Sequence, residues 1–331
     1  MADLLLYKID EYKEEYKKIF AGLYNDFKMK AMSRYKFELE PLEYEDFISS
    51  ISSGLLKCLI LFEENFPTAF LVYTTVISES IELNIIHSVS DESRNNKMMV
   101  LLEKFLEMTL EERKTKPVTY PLTGIQADFY PFLTDYGFKC VNQSVMKFDF
   151  SDEESVSKIR NLRLPPLPEG YEIRTSCDFS GKNTVSLILE AFNNSSDALF
   201  DVRFKSRSGV KDIIFKIVGE IYGEFLPECT SALFRKNELI GLCFVNLTNS
   251  KIANIPILAV ANKYKNQGFG TLLLKNSLVE VYSSVMNGKR ALKELNATCD
   301  RDFLPAYKAY LSVGFKEDEF YKLAYKPKIS S

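Results

Sequence analysis

Pro256-Ile257-Leu258-Ala259-Val260-Ala261-Asn262-Lys263-Tyr264-Lys265-Asn266-Gln267-Gly268-Phe269-Gly270-Thr271-Leu272-Leu273-Leu274 is the segment that decides how this chain folds. It reads as an apolar strand, a polar loop with two glycines, and an apolar helix start. Glycine reaches φ > 0 without strain and lets a ligand approach the backbone closely. The free N–H groups of a helix start, helped by the helix dipole, form a site for an anionic group. A G-x-G pair alone marks no more than a turn that requires glycine. Two sharper phosphate motifs fail: no Lys follows Gly270, and Leu273 stands where a dinucleotide fingerprint has its third glycine.

Working outward, the pattern extends through the second half of the chain. Before the segment come a strand Tyr171–Thr175 and a helix over Asn183–Phe192. An amphipathic helix Lys211–Ile221 follows, with Ile213, Ile214, Ile217, Val218 and Ile221 on one face. Three strands are predicted next, Thr230–Phe234, Leu239–Asn246 and Ile252–Ala261. Arg235-Lys236-Asn237-Glu238 makes the first hairpin turn. After the segment come a helix at about Thr271–Val285, a strand Leu292–Thr298, a helix Leu304–Val313, Gly314-Phe315 and a strand Tyr321–Tyr325.

The first half repeats this order. It offers a strand Leu4–Ile9, helices Glu14–Phe27 and Tyr44–Ser52, and strands Lys57–Phe62, Thr68–Val76 and Ile81–Val89. A helix Asn96–Glu111, a strand Pro117–Leu122, a helix Asp128–Asp135 and a strand Val145–Phe150 complete it. Between the halves lie the acidic Ser151-Asp152-Glu153-Glu154-Ser155, a short helix at Val156–Leu162 and the extended Pro165-Pro166-Leu167-Pro168-Glu169-Gly170. The expected organisation is a domain over 1–150, a linker over 151–168 and a domain over 169–331. Two domains suit a chain of 331 residues.

Individual residues repeat as well. Tyr130-Pro131-Phe132-Leu133-Thr134-Asp135-Tyr136-Gly137-Phe138-Lys139 matches Tyr307-Lys308-Ala309-Tyr310-Leu311-Ser312-Val313-Gly314-Phe315-Lys316. Each reads as a helix stopped by a glycine at φ > 0, with the next aromatic clamping the turn. Together with the element order, this indicates a tandem duplication.

The segment resembles the acetyl-CoA loop of the GNAT N-acetyltransferase superfamily, [QR]-x-x-G-x-[GA] after a strand. Lys265-Asn266-Gln267-Gly268-Phe269-Gly270 fits, with Lys265 in place of Gln or Arg; lysine keeps the charge and loses the planar fork. Ala309-Tyr310-Leu311-Ser312-Val313-Gly314-Phe315 is similar to the family's A/L-Y-x-x-x-G-F ending. The motifs cover about residues 168–328, and the element order covers the whole chain. The resemblance implies an α/β fold of two tandem GNAT-like domains, each a mixed, mostly antiparallel sheet flanked by helices. It implies acetyl-CoA as acyl donor, with the pyrophosphate on the amides of Asn266, Gln267, Gly268, Phe269, Gly270 and Thr271, near Lys265. Backbone N–H groups of Leu258, Ala259 and Val260 would polarise the thioester carbonyl. An amine would attack directly, Tyr310 would protonate the departing thiolate, and no metal would be required. Phe303 stands where the family often has Asn, so Asn296 or Asp300 would make the pantetheine contact instead.

The first half departs from the pattern. Its loop, Ser90-Asp91-Glu92-Ser93-Arg94-Asn95-Asn96-Lys97-Met98-Met99, has no glycine and sets two carboxylates where phosphates would lie. Leu133 stands opposite Tyr310. The expectation is a degenerate copy without a cofactor site and with a structural role.

Composition narrows the alternatives. With 46% apolar and 26% charged residues and a net charge of −3, the chain is globular and has no broad basic field for nucleic acid. The single histidine, His87, leaves little scope for a Ser-His-Asp triad or a multi-histidine metal site. The six cysteines form no C-x-x-C pair, so zinc is not expected, and Cys243 and Cys299 read as buried small residues rather than acyl carriers. The opening Met1–Lys8 lacks a basic start and no apolar run approaches a membrane span, so the expected place is a reduced cytosol, without membrane or nucleic-acid partners. The acceptor is expected to be a small-molecule or peptide amine, with the chain a monomer or homodimer. The general base stays open among Glu294, Asp300, Asp302, Glu220, Glu224 and Glu228, and Tyr307 is the second choice of acid. The rival readings are a non-catalytic acyl-CoA-binding or scaffold protein and an aminoacyl or peptidyl transferase.

Overall fold

The computed structural model describes residues 7–34, 41–76, 78–163, 166–175, 177 and 179–329. Residues 4–6 of the first expected strand and Pro165 of the proline-rich connector lie outside the described residues. In chain order the elements are β1 (Lys8–Glu11), α1 (Lys17–Arg34), α2 (Tyr44–Ser52), β2 (Lys57–Glu63), β3 (Phe66–Thr74), β4 (Ile81–Ser88), α3 (Arg94–Met108), β5 (Val118–Leu122), α4 (Tyr130–Leu133) and β6 (Lys139–Asp149). There follow α5 (Glu153–Asn161), β7 (Tyr171–Arg174), α6 (Lys182–Phe192), α7 (Asp197–Phe200), α8 (Arg207–Val218), β8 (Glu224–Phe225), β9 (Ser231–Arg235), β10 (Glu238–Cys243) and β11 (Asn246–Asn249). The chain closes with β12 (Ile252–Asn254), β13 (Leu258–Val260), α9 (Phe269–Met286), β14 (Glu294–Asp300), α10 (Leu304–Ser312) and β15 (Lys316–Lys326).

These elements form two compact units, one of residues 1–141 with 321–331 and the other of residues 142–320. Set against the expected division at 151–168, the last strand of each half is exchanged. Residues 322–326 of β15 pair antiparallel with β5, and residues 143–149 of β6 pair antiparallel with β14. In the first unit the sheet order is β1-β2-β3-β4-β5-β15, antiparallel except for the parallel β4–β5 contact. Cys58–Phe62 is buried on both faces of this sheet, which explains an unbroken apolar run where a half-exposed strand would alternate. One face packs Phe20, Tyr24, Phe27 and Phe47 from α1 and α2, and the other packs Leu101, Leu102 and Phe105 from α3.

In the second unit β14 lies between β6 and β12, antiparallel to the first and parallel to the second. A separate antiparallel sheet runs β13-β10-β9-β7. The turn between β9 and β10 holds Lys236 at φ 46° and Asn237 at φ 66°, the two left-handed residues of a tight hairpin.

Two predicted strands are corrected here. Leu239–Asn246 divides into β10 and β11, and Ile252–Ala261 divides into β12 and β13, so each run passes from one sheet to the other. The second break falls at Pro256, which has no N–H to give to a ladder. The last parallel link to β14 is Ile255 N–H to Asn296 O at 2.9 Å, and beyond it Leu258–Val260 pairs with β10. The two strands therefore separate at Asn296, with the edge of β13 open.

The repeated helix stops are as expected. Gly137 at φ 74° and Gly314 at φ 104° end their helices, and the amides of Phe138 and Phe315 donate to Leu133 O and Tyr310 O, both at 3.1 Å. This six-to-one bond past a left-handed glycine is the Schellman arrangement. A Cβ on Gly314 would also lie 2.8 Å from Ser155 O, so close packing demands glycine there too.

Candidate active site

The loop after β13 is anchored before it is open. Tyr264 and Phe269 are buried, Phe269 stacks on Tyr171 at 5.2 Å, and the Arg235 guanidinium donates to Tyr264 Oη at 3.0 Å. Between these anchors Asn266 has φ 61° and Gly268 has φ 81°, so the backbone is left-handed at two positions just before the helix. Gly268 caps α9, and no side chain bonds into the cap. The first intrahelical bond runs from Leu272 N–H to Gly268 O at 3.0 Å, which leaves the amides of Phe269, Gly270 and Thr271 without an intrahelical partner. No acidic residue lies in this first turn. The start of an 18-residue helix is thus positive and uncapped.

The side chains of this loop turn elsewhere. Lys265 Nζ donates to Ala191 O at 3.3 Å, near the end of α6, and burial pulls its pKa below the ordinary lysine value. Gln267 Nε2 donates to Lys263 O at 3.1 Å. The groups left open at this helix start are therefore main-chain amides, with Lys265 engaged on a carbonyl.

The alternation of β13 sorts its three residues. Ala261 N–H donates to Ile240 O and Phe244 N–H to Ile257 O, so odd-numbered residues from Ile257 to Ala261 face β10. The N–H groups of Leu258 and Val260 then point to the other edge, where β14 has departed. Ala259 keeps its N–H in the ladder. Asn296 sits at the fork: its side-chain amide donates to Glu294 Oε1 at 3.0 Å, while its Oδ1 is buried without a partner.

Tyr310 is 4% exposed, on the last turn of α10, and its ring packs edge-on to Phe315 at 5.2 Å. Its hydroxyl lies among Cys243, Cys299 and Asp197 and has no hydrogen-bond partner among the described residues. Cys243 is the cross-strand neighbour of Leu258. Burial raises the Tyr310 pKa well above that of a free phenol, and the same cause raises Cys243 and Cys299 to about 12. All three groups stay protonated at neutral pH. Tyr307 differs: its hydroxyl donates to Glu317 Oε2 at 2.6 Å and Arg301 holds the other carboxylate oxygen at 3.2 Å.

The carboxylates singled out as bases are mostly engaged. Glu294 accepts from Asn296 and faces Lys147 at 3.6 Å, Glu224 and Glu228 share Arg290, and Asp302 accepts from Asn142 Nδ2 at 2.9 Å. Asp300 ends β14. Asp197, which the sequence reading passed over, shares its surroundings with Asp300 and Tyr310; burial, with Asp300 and Asp201 nearby, raises its pKa. The missed signal is Ser195-Ser196-Asp197, a helix-start pattern opening a helix of four residues, too short for periodicity to reveal.

No family model and no curated protein matches the sequence. Solved structures do match. A GCN5-related N-acetyltransferase from Sphaerobacter thermophilus aligns over 98% of both chains at 14% identity and a TM-score of 0.62. The chain carries the GNAT fold. A tandem GNAT protein from the clavulanic acid biosynthesis pathway aligns over 98% of this chain and 99% of its own at 12% identity and a TM-score of 0.55. The glucosamine N-acetyltransferase region of a fungal multi-domain GH3 β-N-acetylglucosaminidase covers 96% of this chain at 10% identity and a TM-score of 0.57, and 38% of that larger protein is matched. The tandem GNAT arrangement accounts for the repeated element order and the paired helix stops. Among the described residues no helix is long and apolar enough to cross a membrane, and no group of His, Cys, Asp and Glu is arranged to hold a metal ion.

Proposed function

We propose that the second GNAT-like domain transfers an acetyl group from acetyl-CoA, a substrate here, to a primary amine. The observation that carries this reading is the uncapped start of α9, with the amides of Phe269, Gly270 and Thr271 free of intrahelical partners, directly after a strand whose Leu258 and Val260 N–H groups point away from β10. A pyrophosphate fits the first part because positive φ at Asn266 and Gly268 opens the amides and no carboxylate competes in the turn. The pantetheine arm fits the second part, since its amides need hydrogen-bond partners of the kind a free strand edge offers. Tyr310, kept protonated by burial, holds the proton that a departing thiolate takes. The neighbours named as acetyltransferases support the same donor.

A second reading, binding of acyl-CoA without turnover, has in its favour that Glu294, Glu224 and Glu228 are tied up in ion pairs. One experiment tests both. Calorimetry with CoA should give one site per chain, and thiol release from acetyl-CoA in the presence of an amine panel should exceed the amine-free rate. Binding without amine-dependent release would favour the second reading. Two equivalent sites would overturn the claim that the first GNAT-like domain, with Asp91 and Glu92 in its loop, has no cofactor site.

A further inference from the structure

The first unit has a strand fork of its own. β4 and β5 pair in parallel only at Ile81–Val118 and Glu82–Thr119. Beyond those pairs β4 stays on β3 as far as Ser88, and β5 stays on β15 as far as Leu122. The two strands thus part while each keeps its outer neighbour. A buried N–H that points into such a gap has no ladder partner and must find another acceptor. Ile86 N–H finds Gln126 Oε1 at 3.0 Å. Gln126 belongs to the short 3-10 stretch Gly124–Phe129 that follows β5, and it is 2% exposed. The Tyr120 hydroxyl, on β5, donates to the same oxygen. One carboxamide oxygen therefore takes a donor from each prong of the fork. The Gln126 Nε2 is buried without a hydrogen-bond partner among the described residues, so the carbonyl is the part that the fork holds.

The second unit differs at the matching place. Gln126 lies four residues before Tyr130, and Phe303 lies four residues before Tyr307 in the repeated segment. Phe303 is 51% exposed, and no side chain among the described residues accepts from the Leu258 or Val260 N–H. The loops ahead of the long helices repeat the contrast. Asp91 accepts the Ser93 amide at 3.0 Å, whereas no carboxylate stands in the first turn of α9.

We propose that Gln126 is an internal ligand of the first GNAT-like domain: its carboxamide fills the fork where an amide carbonyl of a pantetheine arm would sit, and the fork binds such a chain once Gln126 is removed. The ligand class rests on the acetyl-CoA reading above. A pantetheine amide and a glutamine side chain present the same acceptor, a carbonyl oxygen on a carbon bonded to nitrogen, and the same two donors meet either one. The first domain thus supplies from its own chain a carboxylate, Asp91, and a carboxamide, Gln126, at the places that the second domain leaves to phosphate and pantetheine.

The test uses the full chain, deuterated and labelled with nitrogen-15, with amide exchange read residue by residue by NMR and pantetheine as the probe. Relative to the β2 amides, which report global opening, Ile86 N–H should exchange about tenfold faster in Gln126→Ala than in the native chain. Saturating pantetheine should slow that exchange about threefold in the variant and leave it unchanged in the native chain. If Gln126→Ala fails to fold, Gln126→Asn, one methylene too short to reach, is read in the same way. An Ile86 amide that keeps its native rate in the variant would overturn the internal ligand. One that quickens and ignores pantetheine would overturn the binding fork. Failure of the acetyl-CoA reading would show elsewhere, as Leu258 and Val260 amides of the native chain that CoA leaves unshifted.

Discussion

Lys97 Nζ lies 2.6 Å from Asp91 Oδ2, and Glu63 Oε2 completes the cradle at 2.6 Å, with the Lys97 side chain fully buried. Asp91 also accepts the Ser93 amide at 3.0 Å and the Ser93 hydroxyl at 2.9 Å. The first GNAT-like domain thus carries its own carboxylate at the helix start where the second leaves amides open. Burial works against a charged Lys97, but Asp91 and Glu63 outweigh it and hold its pKa above the ordinary value.

Replacing Lys97 with Met should therefore leave two carboxylates without their cation. Both are partly exposed and rehydrate, so the expected cost is about 1–3 kcal/mol rather than that of a fully buried pair. Urea unfolding reads it. An unchanged midpoint would mean that the ammonium contributes no net stability.

Gly268→Val should weaken CoA binding at least tenfold with the fold intact. A Cβ there meets nothing within 4 Å, so the protein has room for it, yet φ 81° strains a β-branched residue and the added atoms stand where the anion approaches. Calorimetry gives the affinity and circular dichroism the fold. Normal CoA affinity would rule out the phosphate assignment.

Tyr310→Phe keeps the ring on Phe315 and removes a hydroxyl with no partner to lose, so stability should hardly change. Turnover at saturating acetyl-CoA should fall about 10²–10⁴-fold if proton donation limits the chemistry. Tyr307→Phe removes only the bond to Glu317, which Arg301 still holds, and should cost far less. Equal effects in the two variants would mean that Tyr310 is a packing residue.

His87 is the sole histidine, so its ring resonances assign themselves. Burial lowers its pKa to about 4, against the pull of Asp26 at 2.7 Å. The unfolded chain takes the proton near 6.5 and the folded chain only near 4. The neutral ring's contribution is thus complete above about pH 6.5 and is lost as pH falls towards 4, up to roughly 3 kcal/mol for a shift of this order. NMR titration should place the midpoint well below 6, and His87→Gln should flatten the stability profile between pH 6.5 and 4.

What the sequence made legible was whatever local chemistry decides. Gly137-Phe138 and Gly314-Phe315 announced their helix stops because only glycine relieves φ > 0, and Gly268 announced the turn into α9 for the same reason. The long apolar runs hid their breaks. Ile252–Ala261 stays apolar almost throughout, and only Pro256 betrays the change of sheet. Asp197 was invisible because the helix that it opens has four residues, too few for periodicity to show. Lys265, placed near the pyrophosphate by its charge and its position in the loop, donates to the Ala191 carbonyl, a contact that no local pattern announces.

The exchange of terminal strands has a consequence for synthesis. The β5 edge of the first unit waits for residues 322–326, which leave the ribosome about two hundred residues later. A nascent chain halted after residue 150 would display that strand edge bare and would carry residues 143–149 with no β14 to receive them. The sheet of the first unit is thus completed only by a strand made after the second unit, and residues 143–149 find their partner only once β14 exists.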